Sequence, residues 1–196
     1  MVLKIRLVAP TTDPRPETLA AIRDDLARLA RPGVALSHVQ NADGPPAVRG
    51  DADVEAARPG VLRRIEEAER DGIDAVIIDC TSDVGLDEAR AAVAAIPVIG
   101  PGEEMRRLAR RRKRAWLDAG MLAQDPLGHA LAAVEAGAAV LLVGSTGRAE
   151  VAARLRSELT ARGHAVTVIE PLEAALDAAL RSLGAGAQPF GGSSRK

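Results

Sequence analysis

Short apolar runs alternate with longer amphipathic stretches along this chain of 196 residues. The runs at 2–9, 34–39 and 74–79 are rich in Val, Leu and Ile, which is typical of buried strands. The stretches at 17–30 and 54–71 carry apolar residues at helical spacing. Because strands and helices alternate, the pattern predicts an α/β protein with parallel sheets and helices packed on them.

The rest of the chain continues this alternation. The segment from Glu103 to Glu135 is expected to be helical almost throughout, with a break near Pro126. Pro59 is expected near the start of the helix over 54–71, or to break it. The other predicted elements are strands at 96–101, 139–143 and 165–169, and helices at 86–95, 149–161 and 171–183.

An internal repeat connects two of the predicted strand ends. Gly72 is followed eight residues later by Cys80, and Gly137 is followed eight residues later by Ser145. In both copies four apolar residues lie between, and a threonine comes next. Any two strand–helix–strand units could look this alike. A functional repeat instead predicts that Cys80 and Ser145 face each other across one crevice.

The repeat predicts two pseudo-symmetric, flavodoxin-like halves, of which the second is reduced. We expect residues 1–101 to form the first half, with the closing helix over 171–183 packed on it. Residues 102–170 are expected to form the second half. Residues 184–196 consist mainly of small and polar residues, which is typical of a disordered tail.

Composition excludes several classes of function. Aromatic residues make up only 1% of the chain, which disfavours stacking platforms for single-stranded nucleic acid. The net charge of −1 favours neither a nucleic-acid partner nor a membrane partner. No apolar run reaches the roughly 18 residues that span a bilayer. With one cysteine and no signal-peptide pattern, we expect a cytoplasmic protein.

The single cysteine, Cys80, follows the apolar strand over 74–79. A thiol at that point faces the crevice outside the carboxyl end of a parallel sheet, where α/β proteins bind ligands. Its ordinary pKa of about 8.5 can be lowered by a helix N-terminus, and the next predicted helix begins at 86. The backbone N–H groups of the same turn suit an anion. The alternative is an inert buried cysteine.

Several short motifs occur along the chain in a fixed order and spacing. They are Val8-Ala9-Pro10-Thr11-Thr12, Gly44-Pro45, Ala56-Ala57-Arg58-Pro59-Gly60-Val61-Leu62, Asp74-Ala75-Val76-Ile77-Ile78-Asp79-Cys80, Asp83-Val84-Gly85-Leu86 with Ala89-Arg90, Ile96-Pro97-Val98-Ile99-Gly100, 137–147 and 166–172. Together these motifs resemble the aspartate/glutamate/hydantoin racemase superfamily, and most closely its hydantoin racemase branch. The resemblance covers most of the chain apart from about 105–130 and the tail.

The resemblance implies proton transfer, without a cofactor or metal, at a carbon beside a carboxylate or carbonyl. In such enzymes one cysteine thiolate removes the Cα proton and a second cysteine thiol returns a proton on the opposite face. By position Cys80 is the first cysteine, and Ser145 stands in place of the second. The residues that match the family's substrate-holding turns are Thr11, Thr12, Thr81, Ser82, Thr146 and Gly147.

Ser145 changes what the resemblance implies. A hydroxyl without a partner base is a weak acid–base group at neutral pH. We therefore expect Cys80 to transfer the proton and Ser145 to orient the substrate or hydrogen-bond the enolate. This favours an isomerase of the racemase or epimerase type, acting on a small carboxylate- or carbonyl-containing substrate. The alternatives are a one-cysteine lyase, such as a decarboxylase, a cyclase, and a non-catalytic binding or assembly protein.

A basic run from Arg106 to Arg114 is the second departure from the family, whose members usually have another strand-bearing segment here. The run is interpreted as a solvated helix face. The alternatives are a surface for an anionic partner and a contact between subunits. Because the second half is shortened, its side of the pocket would be open or filled by a partner subunit, and we expect a homo-oligomer.

The remaining polar residues are interpreted as structural. His38, His129 and His164 lack metal-ligand spacing and are expected at the surface or at helix caps. Asp79 precedes Cys80, so its side chain is expected on the other face of the sheet. Thr11 and Thr12 have an alternative role as caps of the helix over 17–30. No nucleotide-binding glycine motif follows a strand.

Overall fold

The protein is described by a computed structural model over residues 2–185. Strands and helices alternate along these residues. The strands are β1 (Leu3–Ala9), β2 (Val34–Gln40), β3 (Ala75–Ile78), β4 (Val98–Ile99), β5 (Arg114–Leu117), β6 (Val140–Val143) and β7 (Thr167–Ile169). The helices are α1 (Pro16–Leu29), α2 (Asp51–Arg70), α3 (Leu86–Ala92), α4 (Pro101–Leu108), α5 (Ala119–Gln124), α6 (Pro126–Glu135), α7 (Ala149–Ala161) and α8 (Pro171–Ser182).

The strands form two sheets in which every pairing is parallel. The first sheet has the order β2-β1-β3-β4, and the second has the order β5-β6-β7. In the first sheet Leu7 of β1 lies between His38 of β2 and Ile77 of β3. The predicted α/β class with parallel sheets is therefore confirmed. Parallel pairing also collects the carboxyl ends of the strands along one edge of each sheet.

The two faces of the first sheet pack against different helices. Val76 and Ile78 of β3 face a cluster that includes Val61 and Ile65 of α2. Ala75 and Ile77 face a second cluster built with α1 and α8. Because side chains alternate along a strand, residues 79 and 80 continue toward opposite faces.

Helix α8 lies between the two sheets. Its Leu172 and Leu176 are buried in the core of the first sheet. Its Ala174 packs with Val140 and Leu142 of β6 on the other side. The two sheets are therefore joined through one shared helical layer.

The expectation that 103–135 is helical apart from a break near Pro126 is wrong, because β5 lies inside this segment, although a break does separate α5 from α6 at residue 125. The N–H groups of Ala139 and Val140 donate to Lys113 O, and the Arg112 side chain donates to Ala139 O. These contacts pair the end of the basic run with β6. Arg and Lys have good helix propensity, but tertiary pairing overrides such a weak preference. The end of the basic run thus forms strand β5, which was not predicted from the sequence. The second sheet consequently has three strands.

Other local differences concern helix α2 and the start of α1. Pro59 lies in the interior of α2, which continues through it. Helix α1 has Arg15 at its N-cap, so neither Thr11 nor Thr12 caps it. The remaining predicted elements are confirmed within a few residues at their ends, where boundaries are least defined.

The chain ends are described only in part. Helix α8 ends at Ser182, and the predicted disordered tail over 184–196 lies outside the described residues from 186 onward. Among residues 2–185, no helix has the length and apolar character needed to cross a membrane.

Candidate functional site

The ends of β3 and β6 meet in one cleft between the two sheets. The hydroxyl of Thr81 donates to the carbonyl oxygen of Gly144 at 3.1 Å. Cys80 and Ser145 are the chain neighbours of these two residues. The structure therefore brings the two ends of the internal repeat to the same place, which we call the strand-end cleft.

Cys80 is a half-buried free thiol in the turn after β3. Its N–H donates to Ile78 O at 2.8 Å, and its carbonyl oxygen accepts from the N–H of Asp83 at 3.0 Å. Its side chain packs at the edge of the α2 and α3 cluster. The thiol is thus held in a fixed turn at the carboxyl end of the sheet.

Burial raises the pKa of the Cys80 thiol above its ordinary value. Hydrogen bonds from Ser82 favour the thiolate and oppose this effect, whereas the charges of Asp79 and Asp83 add to it. The net direction is the reverse of the lowering expected from a nearby helix N-terminus. Helix α3 begins only at Leu86, and burial is the largest of the causes that set this direction.

The side chain of Asp83 connects the turn that carries Cys80 to the start of α4 through hydrogen bonds. Its carboxylate accepts hydrogen bonds from the N–H groups of Gly102 at 2.8 Å and Glu103 at 2.6 Å, and from Arg106 at 2.8 Å. Asp83 is the one non-glycine residue with positive φ within residues 2–185, at 51°. Aspartate tolerates this conformation better than most residues. A role for Asp83 was not predicted from the sequence, although the Asp-x-Gly spacing after Cys80 could have indicated a structured turn there.

Ser145 has no acid–base partner in the described part of the chain. Its Oγ donates to the carbonyl oxygen of Thr146 at 3.1 Å. Ser145 and Thr146 are half-buried, and Gly147 is exposed with φ of 68°. Ser145, Thr146 and Gly147 therefore offer backbone groups and hydroxyls, with no ionisable side chain among these three residues.

The indole of Trp116 covers the backbone of Gly144. Trp116 is 37% exposed and projects from β5 on the same face as Leu142. A Cβ added to Gly144 would overlap the indole nitrogen of Trp116. Glycine is therefore required at this strand end by close approach, and an aromatic ring lies beside the cleft.

Substituting Gly144 with alanine is expected to displace the Trp116 indole and to red-shift its fluorescence emission. Trp116 is the only tryptophan in the chain, so the emission reports on it alone. The forced repacking is expected to cost about 1–3 kcal/mol. Gly50→Ala is the matched control, because a Cβ there meets only open space. An emission maximum unchanged in Gly144→Ala would contradict the contact.

The turn after β1 holds Thr11 and Thr12 in different roles. The Thr12 hydroxyl donates to Asn41 O and accepts from the N–H of Gly44 at 3.0 Å. Buried Asn41 in turn donates to Pro10 O at 3.2 Å. The Thr12 hydroxyl is thus engaged in building the loop, while Thr11 lies on the wall of a neighbouring pocket.

This pocket, which we call the α1 pocket, has a volume of about 170 Å³ and adjoins the strand-end cleft. Helix α1 forms one wall, and the ends of β1, β2 and β3 form another. The turn after β6 closes it from the second half. Its lining includes Thr11, Asp25, His38, Asp79, Thr146 and Gly147.

His38 and Asp79 form a buried pair in the α1 pocket. The Nε2 of His38 lies 3.0 Å from Oδ2 of Asp79, and the side chains are 6% and 14% exposed. The expectation that His38 is a surface or cap residue is therefore wrong. Asp79 does project to the face opposite Cys80, as expected. The pair escaped sequence reasoning because β1 lies between the two strands that carry it.

Asp25 adds a second carboxylate to the α1 pocket. Burial raises the pKa of Asp25, and Arg28, which donates to it at 3.1 Å, acts in the opposite direction. The charges of Asp79 and Glu150 raise the pKa further. The α1 pocket is therefore an acidic environment around one imidazole.

Other candidate groups lie away from this site. His129 lies on α6 and His164 in the turn after α7. Within the described ranges no cluster of His, Cys, Asp or Glu is placed to hold a metal ion. In the basic run, Arg106 pairs with Asp83 and Arg107 with Glu104. The run is exposed but helical only as far as Leu108, so the expected continuous basic helix face does not form.

A family model described as Asp/Glu/Hydantoin racemase matches residues 16–126, which is more than half of the chain. Two curated relatives are hydantoin racemases. The one from Rhizobium meliloti is 45% identical over 58 residues, and the one from Pseudomonas sp. (strain NS671) is 33% identical over 104 residues. These alignments cover 30% and 52% of this chain, but only 24% and 39% of the relatives.

Solved structures share the fold over nearly the whole chain. Allantoin racemase from Klebsiella pneumoniae has a TM-score of 0.71 at 24% identity, covering 96% of this chain and 91% of that one. Allantoin racemase from Pseudomonas fluorescens has a TM-score of 0.70 at 19% identity, covering 96% and 94%. A double mutant of arylmalonate decarboxylase has a TM-score of 0.63 at 17% identity, covering 96% of both chains. At these low sequence identities, the structural similarity establishes the fold of this chain and nothing further.

Proposed function

Because this chain belongs to the Asp/Glu/hydantoin racemase family, we propose that it is a cofactor-independent racemase or epimerase. It transfers a proton at a carbon beside a carboxylate or carbonyl of a small substrate. The observation that carries the proposal is the hydrogen bond between Thr81 and Gly144. This bond joins the turn that carries the chain's only thiol to the turn that carries Ser145.

Cys80 is the acid–base residue in this proposal. A carbon-bound proton is removed by a thiolate, and the raised pKa of Cys80 makes its thiolate a stronger base than an ordinary one. The Ser82 hydrogen bonds limit that rise. The enclosed turn also keeps the thiol in one orientation toward the substrate.

The turns around the cleft hold the substrate and the developing enolate. Thr11, Thr146 and Gly147 line the α1 pocket, and Thr81 joins the turns after β3 and β6. Ser82 lines a separate pocket beside Asp83 and Arg58, and its proposed part is to hydrogen-bond the thiolate. The N–H groups and hydroxyls of these turns match the negative charge that develops on a carboxylate or carbonyl as the proton leaves. Thr12 acts indirectly, by fixing the loop beside Thr11. Ser145 orients the substrate through the backbone of its turn.

A second candidate is a lyase that forms the same enolate by decarboxylation. The observation that favours it is the Ser145 hydroxyl, which donates to Thr146 O and has no base among residues 2–185. A decarboxylase needs one proton delivered to one face. Cys80 alone would supply that proton.

Solvent exchange distinguishes the two candidates. Each enantiomer of 5-methylhydantoin and of allantoin would be incubated with the protein in D₂O and followed by NMR and by chiral chromatography. A racemase is expected to place deuterium at Cα and to yield the opposite enantiomer faster than buffer alone. Phenylmalonate serves as the decarboxylation probe. Release of CO₂ without exchange of the other probes would favour the lyase, and neither reaction would contradict both candidates.

A further inference from the structure

Because Ser145 stands in place of a second thiol, the proposed reaction has an acid–base group, Cys80, on only one side of the substrate. Its hydroxyl hydrogen-bonds to Thr146 O, and within residues 2–185 no ionisable side chain contacts it. Racemisation moves a proton off one face of Cα and places another on the opposite face. A second group that can carry a proton near neutral pH is therefore needed.

His38 lies where such a group can reach the cleft. It lines the α1 pocket together with Thr11, Thr146 and Gly147, which surround the proposed substrate position. Its Nε2 is engaged by Asp79 at 3.0 Å. Its Nδ1 has no hydrogen-bond partner in the described chain and is not among the fully buried unpartnered atoms. His38 borders both the α1 pocket and a neighbouring pocket walled by Pro16, Leu19 and Arg23. Its Nδ1 therefore has a free hydrogen-bonding position beside these cavities.

Cys80 and His38 approach the strand ends from opposite faces of the first sheet. Cys80 follows Val76 and Ile78 on the α2 and α3 face. His38 follows Leu36 on the face that packs against α1 and α8. A substrate seated over the strand ends would therefore meet the thiol on one side and the imidazole on the other.

We propose that His38, held by Asp79, is the second acid–base residue of this site, on the substrate face opposite Cys80. This inference rests on the proposed function. In one direction the Cys80 thiolate takes the Cα proton, and the bonding electron pair passes into the enolate. The His38 imidazolium then gives its Nδ1 proton to the opposite face of Cα. The products are a thiol, a neutral imidazole and the inverted substrate, and the reverse direction exchanges these roles.

Asp79 is the positioning residue of the pair. Its Oδ2 accepts the Nε2 proton, which fixes the tautomer in which Nδ1 is free to accept or donate. Asp79 also connects the imidazole directly to the turn that carries Cys80.

The test measures deuterium exchange separately for each enantiomer of 5-methylhydantoin and allantoin. In His38→Gln, exchange is expected to fall by roughly 10²- to 10⁴-fold for the enantiomer whose Cα proton faces His38. The other enantiomer is expected to keep its wild-type exchange rate, because Cys80 still removes its proton. Asp79→Asn is expected to weaken the same enantiomer selectively. Cys80→Ala is expected to show the mirror-image pattern.

The enantiomer asymmetry separates chemistry from folding, because a misfolded variant loses both exchange reactions. His164→Gln, a substitution in the turn after α7, is the matched control and is expected to exchange both enantiomers normally. Equal loss for both enantiomers in His38→Gln, or no loss for either, would overturn the assignment of His38. Normal exchange of both enantiomers in Cys80→Ala would instead overturn the proposed function. No exchange by the wild-type protein would overturn both.

Discussion

Replacing Cys80 with alanine is expected to reduce Cα proton abstraction by roughly 10²- to 10⁴-fold, the usual contribution of a positioned acid–base group. The expected loss is large because Cys80 is the only cysteine of the chain, and the turn after β6 offers no thiol to replace it. Deuterium exchange in D₂O, measured for the enantiomer that faces Cys80, checks this prediction. Wild-type exchange of that enantiomer in Cys80→Ala would contradict it.

Cys80→Ser is the control for packing, because it keeps nearly the same volume. A hydroxyl at this position titrates far above the neutral range, so the serine variant is expected to be as inactive as the alanine variant. Thermal unfolding should show both variants folded. Alkylation by iodoacetamide gives a readout without substrate. Since burial raises the thiol pKa, wild-type labelling is expected to be slower than that of free cysteine at pH 7.

Replacing Glu170 with glutamine is expected to remove a pH-dependent loss of stability. The Glu170 side chain is 0% exposed. Burial raises its pKa from 4.5 to about 7, against the opposing effects of Arg28 and of the N–H of Glu173. The Oε2 atom accepts that N–H at 2.7 Å, while Oε1 is buried without a partner. The folded protein therefore holds the Glu170 proton more tightly than the unfolded chain does.

The direction of the pH effect follows from proton linkage. The contribution of Glu170 to stability is greatest below pH 4.5, where Glu170 is protonated in both states. It decreases as pH rises toward about 7, because only the unfolded chain releases the proton. A pKa difference of this size corresponds to roughly 3 kcal/mol. Urea unfolding at pH 5 and pH 8 is expected to show that Glu170→Gln loses less stability with rising pH than the wild type.

Glu135→Gln is the matched control, since Glu135 is an exposed carboxylate on α6. Its pH profile is expected to parallel that of the wild type. Parallel profiles for Glu170→Gln and wild type would show that Glu170 is already ionised in the folded protein at pH 5. Glu170 is the N-cap residue of α8, the helix shared by the two sheets. Its Oε2 lies 3.5 Å from Nη2 of Arg28 on α1, so its ionisation acts where these elements meet.

Local patterns predicted most elements well and failed where pairing decided the outcome. Helix α7 covers the predicted range 149–161. Its amphipathic spacing is set by residues within a few turns of one another. Strand β5 was missed because Arg114 and Lys113 read as a continuation of a basic helix. Only β6, more than 20 residues away, offers the partner that makes the segment a strand.

Some residues of the candidate site could likewise be predicted from the sequence, and others only from the structure. Cys80 at a strand end, Thr81 after it and the equivalent Ser145–Thr146 turn are visible as a repeat in the chain. The His38–Asp79 pair is not visible in the sequence. His38 lies on β2 and Asp79 follows β3, β1 lies between these two strands, and the two residues are 41 positions apart. The direction of the Cys80 pKa also needed the structure, since it is set mainly by burial, to which the charges of Asp79 and Asp83 add.

The sequence by itself determined the α/β class, the strand-end position of the only thiol and the family resemblance. These depend on periodicity and on the order of short motifs, which are local properties of a chain. The tertiary structure decided the strand in the basic run, the meeting of Thr81 with Gly144, and the acidic pocket around His38. Those depend on strand order and burial, through which residues distant in the chain set one another's contacts and charge.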